Sequence, residues 1–140
     1  MPIPTKQSRA YDVFKELTTL SAKKYPNSVA VMFRVFLELS VDVYLETFNL
    51  LRDGQLTANE SGTPNLQGNV NRVINDMAQK GIINKDLMKG IKSELNNTNS
   101  PLSIDSLNAY VHNGHFFPFY LHLLTGWDNV QPFFNILWQE

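Results

Sequence analysis

Apolar residues fall at helical spacing along most of the chain, and Pro, Gly and Asn punctuate them into five or six helices. Ser8 reads as the N-cap of a first helix of about 9–24, in which Tyr11, Phe14, Leu17 and Leu20 share a face until Pro26 ends the run. A second helix, about 28–52, is apolar around most of its circumference, with Val29, Phe33, Phe36, Leu37, Val41, Tyr44 and Leu45 among its positions. Its β-branched residues would also suit strands, but a long stretch without Gly or Pro and a polar residue at every fourth position favour helix. Such a helix belongs at the centre of a bundle, or between a bundle and a partner subunit. Residues 53–68, DGQLTANESGTPNLQG, read as a flexible loop.

A third helix, about 69–80, puts Val70, Val73, Ile74 and Met77 on one face, with Gly81 as its C-cap. Asn84 caps a fourth, about 85–96, with Leu87, Met88, Ile91 and Leu95 inward, and Ser103 caps a fifth, about 104–112. Gly114 breaks the fifth, and a last helix runs from a first turn holding Pro118 to about 138. Gly126 and Pro132 are expected to weaken or kink it. No segment reads as a strand. The predicted fold is all-α, a compact bundle of five to six helices in a single domain over 1–140.

A chain of 140 residues suits one such domain. Without cysteine it holds no disulfide framework, zinc ribbon or thiol nucleophile. The densest apolar stretch, Val29 to Leu51, is interrupted by Arg34, Glu38, Asp42 and Glu46, so neither a signal peptide nor a membrane span is read. The expectation is a soluble, cytoplasmic protein with no membrane partner. A start almost directly on a helix signal is what a module excised from a longer polypeptide would have. The net charge of −1 argues against a domain that holds nucleic acid mainly by neutralising phosphates. Charge is nonetheless uneven. Residues 1–34 carry six basic and two acidic side chains, whereas residues 35–60 carry five acidic and one basic. Unlike faces of this kind favour self-association, and any RNA contact would be local.

All three histidines, His112, His115 and His122, fall in one short window. His112 and His115 with a third ligand would make a metal reading, but the spacing follows no strong ligand pattern, and neither metal nor cofactor is expected. Capping or surface histidines beside an aromatic loop explain the cluster equally well. More specific is LNAYVHN, Leu107 to Asn113, followed by Trp127, Gln131-Pro132-Phe133 and Leu137-Trp138. Over residues 103–138 this string resembles the last third of HEPN domains (higher eukaryotes and prokaryotes nucleotide-binding). These are helical bundles that commonly dimerise and recur in prokaryotic defence and nucleic-acid systems. Active members are RNases marked by an Arg, then four to six intervening residues, then a His. The resemblance makes His112 the matching histidine, yet Asp105, Ser106 and Leu107 stand where the Arg is required. Loss of that Arg removes several kcal/mol of phosphate stabilisation, so the resemblance implies a non-catalytic interaction or dimerisation module. The alternative is a metal-independent endoribonuclease using His112 with Asn108 or Asn113. Asn108, one turn before His112, would orient the imidazole or a phosphate; the plainer reading is a hydrogen bond tying helix to loop.

Other candidates are weaker. Arg34, Glu38, Asp42 and Glu46 recur at i, i+4 as a stripe that reads as solvated, with metal chelation or the border of a subunit interface as alternatives. Lys85, Lys89 and Lys92 share a face that would touch phosphates, although Asp86 and Glu94 dilute it into ordinary surface. Phe116, Phe117, Phe119, Tyr120, Trp127, Phe133, Phe134 and Trp138 exceed what one helical stripe buries. The surplus predicts a protein-facing surface in which Phe116, Phe117, Trp127 and His115 are the candidate binding residues. The expected partner is a second copy of the chain or the rest of a larger protein, with RNA as a further possibility.

Overall fold

The computed structural model describes residues 3–4, 6–50, 66–97, 100–115 and 117–139. They form six helices: α1 (Ser8–Thr19), α2 (Pro26–Thr47), α3 (Leu66–Gln79), α4 (Lys85–Asn96), α5 (Ile104–His112) and α6 (Tyr120–Leu137). No strand occurs among the described residues, and the all-α bundle expected from the apolar spacing is what is seen. Most of the loop predicted at 53–68 lies outside the described residues; its last three positions are already the first turn of α3.

α2 packs against α1, α3, α5 and α6 and is the axis of the bundle. Its Phe33, Phe36, Leu37, Val41, Tyr44 and Leu45 are buried, which is what an apolar circumference requires. An aromatic chain holds α1, α2 and α6 together: Phe14 meets Phe36 at 5.4 Å, Phe36 meets Phe134 at 4.8 Å, and Phe33 stands edge-on to Phe134 at 5.9 Å. At the far end of α6, the buried Trp138 Nε1 donates to Ser40 Oγ at 3.2 Å, tying the last helix back to α2.

Several helix limits differ from those predicted, each for a local reason. α1 begins at Ser8 with Gln7 as its N-cap, and it stops at Thr19 rather than near 24. Thr18 and Thr19 donate back to carbonyls of their own helix, and Ser21 Oγ accepts from Lys24 N, so hydroxyls compete for the backbone and start a separate turn. Pro26 does not merely end α1; it occupies the first turn of α2, where its missing N–H is not needed. α2 stops at Thr47, not near 52, because Asn49 adopts a left-handed φ of 56° and Leu50 N donates to Leu45 O at 2.8 Å. Gly81, with φ 71°, closes α3 the same way, with Ile82 N donating to Met77 O at 3.1 Å. The caps at Asn84 and Ser103 are seen as expected.

α6 departs furthest. Pro118 precedes the helix rather than sitting in its first turn, and Gly126 and Pro132 do not interrupt it. Gly126 is there for packing: a Cβ at this position would lie 2.7 Å from Leu102 Cγ and 2.9 Å from its Cδ1. The missing side chain lets the segment before α5 press directly onto α6. Pro132 deprives the carbonyl of Asp128 of its partner, but Asp128 is exposed, where water can replace the lost donor.

Candidate functional site

α5 is a short helix. Ser103 Oγ caps it by accepting from Ser106 N at 3.1 Å, and Ile104 and Leu107 are buried. Asp105 in its first turn and His112 in its last suit the helix dipole. Packing of α5 on α2 brings the half-buried Asn108 against Arg34, whose Nε donates to Asn108 Oδ1 at 3.0 Å. The same guanidinium pairs with Glu38 on its own helix at 3.2 Å. A cation is therefore fixed at the seam of α2 and α5 by Asn108, which lies one helical turn before the exposed His112. In chemical terms the guanidinium is a group able to hold a phosphate, with Glu38 competing for it, and it is bonded to the residue one turn before His112.

Asn108 thus ties α5 to α2 and not to the following loop, and its acceptor is engaged by Arg34 rather than by the imidazole. Asn113 is a turn former: its Oδ1 accepts from His115 N at 2.9 Å and its own N–H donates to Ala109 O at 2.8 Å. His115 is exposed in that turn, and His122 stands on α6 edge-on to Phe119 at 5.1 Å. Among the described residues, no group of three potential metal ligands comes together.

The aromatic candidates separate. Trp127 is half-buried, stacked on Phe134 at 5.7 Å and edge-on to Phe33 at 6.1 Å. Phe133, Phe134 and Trp138 belong to the core, whereas Phe117 is 71% exposed and Phe119 50%. Phe116 lies outside the described residues. Lys85, Lys89 and Lys92 lie along α4, with Lys85 and Lys89 exposed and Lys92 half-buried, and no ion pair or hydrogen bond joins them to the Arg34 group.

Two polar groups carry more structure than their spacing suggests. Glu94 is not a diluting surface charge: it is 5% exposed, accepting from Leu102 N at 3.1 Å and from Asn129 Nδ2 at 3.0 Å. One carboxylate thereby joins α4, the α5 entry and α6. The nearby Tyr110 hydroxyl donates to Pro101 O at 3.0 Å, and burial, then the charge of Glu94, raise its pKa. The stripe on α2 is also only partly solvated. Asp42 Oδ1 is buried without a partner, and burial, then Glu38 and Glu46, push the carboxyl up to about 6.

A second polar cluster joins α2 to α3. Tyr44 donates to Asp76 Oδ2 at 2.7 Å, Lys80 pairs with the same oxygen at 2.7 Å, and its ammonium lies 3.5 Å from the Phe48 ring centroid. Burial, then the Asp76 bond and charge, raise the Tyr44 pKa. For Asp76 burial acts upward, but the bonds from Lys80 and Tyr44 outweigh it and hold the carboxyl below its ordinary value. The i, i+4 spacing of Asp76 and Lys80 was a visible signal for this pair; nothing in the spacing of Tyr44 pointed to it.

With family models, curated proteins and solved structures alike, comparison finds no match to the chain. No helix among the described residues is long and apolar enough to cross a membrane.

Proposed function

We propose that the chain is a non-catalytic interaction module that pairs with a second copy of itself through the surface formed by the end of α5 and the start of α6. The observation that carries this reading is the concentration of exposed apolar side chains there. Val111, Phe117, Phe119, Leu121 and Leu124, on neighbouring turns of the α5–α6 corner, are 47–71% exposed. Large apolar side chains gathered in one place are costly to leave in water, and such patches on helical domains mark interfaces. A two-fold arrangement would set the patch against itself, the self-complementary contact most soluble homodimers use. The uneven charge distribution supports pairing as well. The resemblance of residues 103–138 to HEPN domains, which commonly dimerise, would set the module in a prokaryotic defence or nucleic-acid-associated system.

Light scattering after size exclusion tests this. The chain is expected to run as a dimer, and the double variant Phe117→Ser, Leu121→Gln as a monomer of unchanged helical content. A wild-type chain that stays monomeric at high concentration overturns the reading.

One observation favours the endoribonuclease alternative: Arg34, bonded to Asn108, supplies from α2 the cation that α5 lacks. Cleavage of tRNA or single-stranded RNA in chelator, lost in both His112→Ala and Arg34→Ala, would establish it. Absence of cleavage by the wild type eliminates it.

A further inference from the structure

A cavity of about 210 Å³ opens between the end of α1, the connector after it, the first turns of α2 and the N-terminal half of α6. Leu17, Val29, Phe33, Leu102, Leu123 and Trp127 form its wall, with Ala22 on the connector. The one hydroxyl of the lining, on Thr18, already donates to Phe14 O at 2.9 Å, and no charged side chain lines the cavity. An apolar cavity of about 150 Å³ stays dry and takes up benzene, so this one has room for a body of about eight carbons. None of Asn108, His112 and Asn113 lines it.

The charge lies at its edge. Lys23 follows Ala22, and its Nζ stands 5.9 Å from the Tyr120 ring centroid, bridging from the connector to α6. Tyr120 is one turn before Leu123 and Leu124, which line the cavity, so the ammonium sits beside the cavity. Its interaction there is with the ring face; among the described residues Lys23 has no carboxylate partner.

We propose that this cavity binds a small amphipathic carboxylate, an aryl or branched alkyl body seated among Leu17, Val29, Phe33 and Trp127 with its anionic head on Lys23. The apolar body gains by leaving water for a wall built mainly of aliphatic and aromatic side chains, and the head replaces no existing ion pair. The lining is too small for a nucleotide and holds nothing to receive a sugar or a base edge.

The probe is 3-phenylpropionate, with ethylbenzene as the uncharged body alone. Of the two tryptophans of the chain, Trp127 lines the cavity and Trp138 is buried at the end of α6, so binding is read in fluorescence. Both probes are expected to change Trp emission saturably and to raise the melting temperature of the wild type. Ala22→Leu, which fills the space, abolishes both effects, and Val29→Phe does the same from α2 should the first variant fold poorly. Lys23→Met weakens 3-phenylpropionate about fivefold and leaves ethylbenzene unchanged. No saturable response in the wild type, binding that survives a folded cavity-filling variant, or equal 3-phenylpropionate affinity in Lys23→Met each overturns the proposal. Leu124 belongs both to the cavity lining and to the exposed patch proposed for pairing, so the variants are made at Ala22, Val29 and Lys23, none of them among the five patch residues, and light scattering of the same variants reads pairing apart from ligand binding.

Discussion

Replacing Asp42 by Asn should stabilise the protein at neutral pH. The carboxyl sits on α2 with Glu38 one turn before it and Glu46 one turn after, and one of its oxygens is buried without a donor. Its pKa is about 6 in the folded chain against an ordinary 3.8. Between those values the folded state holds a proton that the unfolded state has released. The contribution of Asp42 is therefore fully favourable below pH 3.8 and is lost as pH rises through about 6. At full strength that displacement corresponds to about 3 kcal/mol. Asp42 is only half-buried, so water screens the charge and about 1 kcal/mol is the realistic magnitude. Asp42→Asn keeps the shape and removes the charge. Urea unfolding at about pH 7.5 should show the variant about 1 kcal/mol more stable, with the difference vanishing at about pH 3, where the wild-type carboxyl is protonated in both states. A gain of equal size at both pH values, or a loss at pH 7.5, would refute the electrostatic account.

Gly126→Ala tests the close approach of the pre-α5 segment to α6. Helix propensity alone would stabilise by about 1 kcal/mol, but the added carbon at 2.7 Å from the buried Leu102 Cγ is expected to cost more, giving a net loss of about 1–2 kcal/mol in denaturant melts. At Glu94, truncation to Ala strands the buried N–H of Leu102 and should cost about 2–3 kcal/mol. Glu94→Gln should cost much less, since the Asn129 amide can rotate to accept from the new amide; equal losses for the two variants would mean that the carboxylate charge, and not hydrogen bonding that an amide of the same size can supply, holds the site.

How the site is put together was only partly legible in the chain. Asn108 and His112 were visible as a helical pair, because i, i+4 spacing is a property of the sequence. Arg34 as the partner of Asn108 was not, since 74 positions separate the two and only the packing of α5 on α2 brings them together. Glu94 shows the reverse failure. A carboxylate on a helix with three lysines looks solvated, and its burial depends on Leu102 and Asn129 arriving from two other segments. The polar stripe on α2 was visible as spacing, whereas the unpartnered burial of Asp42 Oδ1 was set by its surroundings.

The helical class, the central place of α2 and the caps at Gly81, Asn84 and Ser103 follow from local order alone. Apolar period, cap chemistry and the φ restrictions of Gly and Pro act over a few neighbouring residues, so a chain read in order contains them. The tertiary structure decided the rest: that Pro132 is tolerated and Gly126 required in one continuous α6, that Arg34 meets Asn108, that Glu94 is internal, and that an apolar cavity opens beside Lys23. Each of these depends on the distance between segments far apart in the chain. That distance is set by how side-chain volumes fit together across helices, a quantity no spacing along one helix contains.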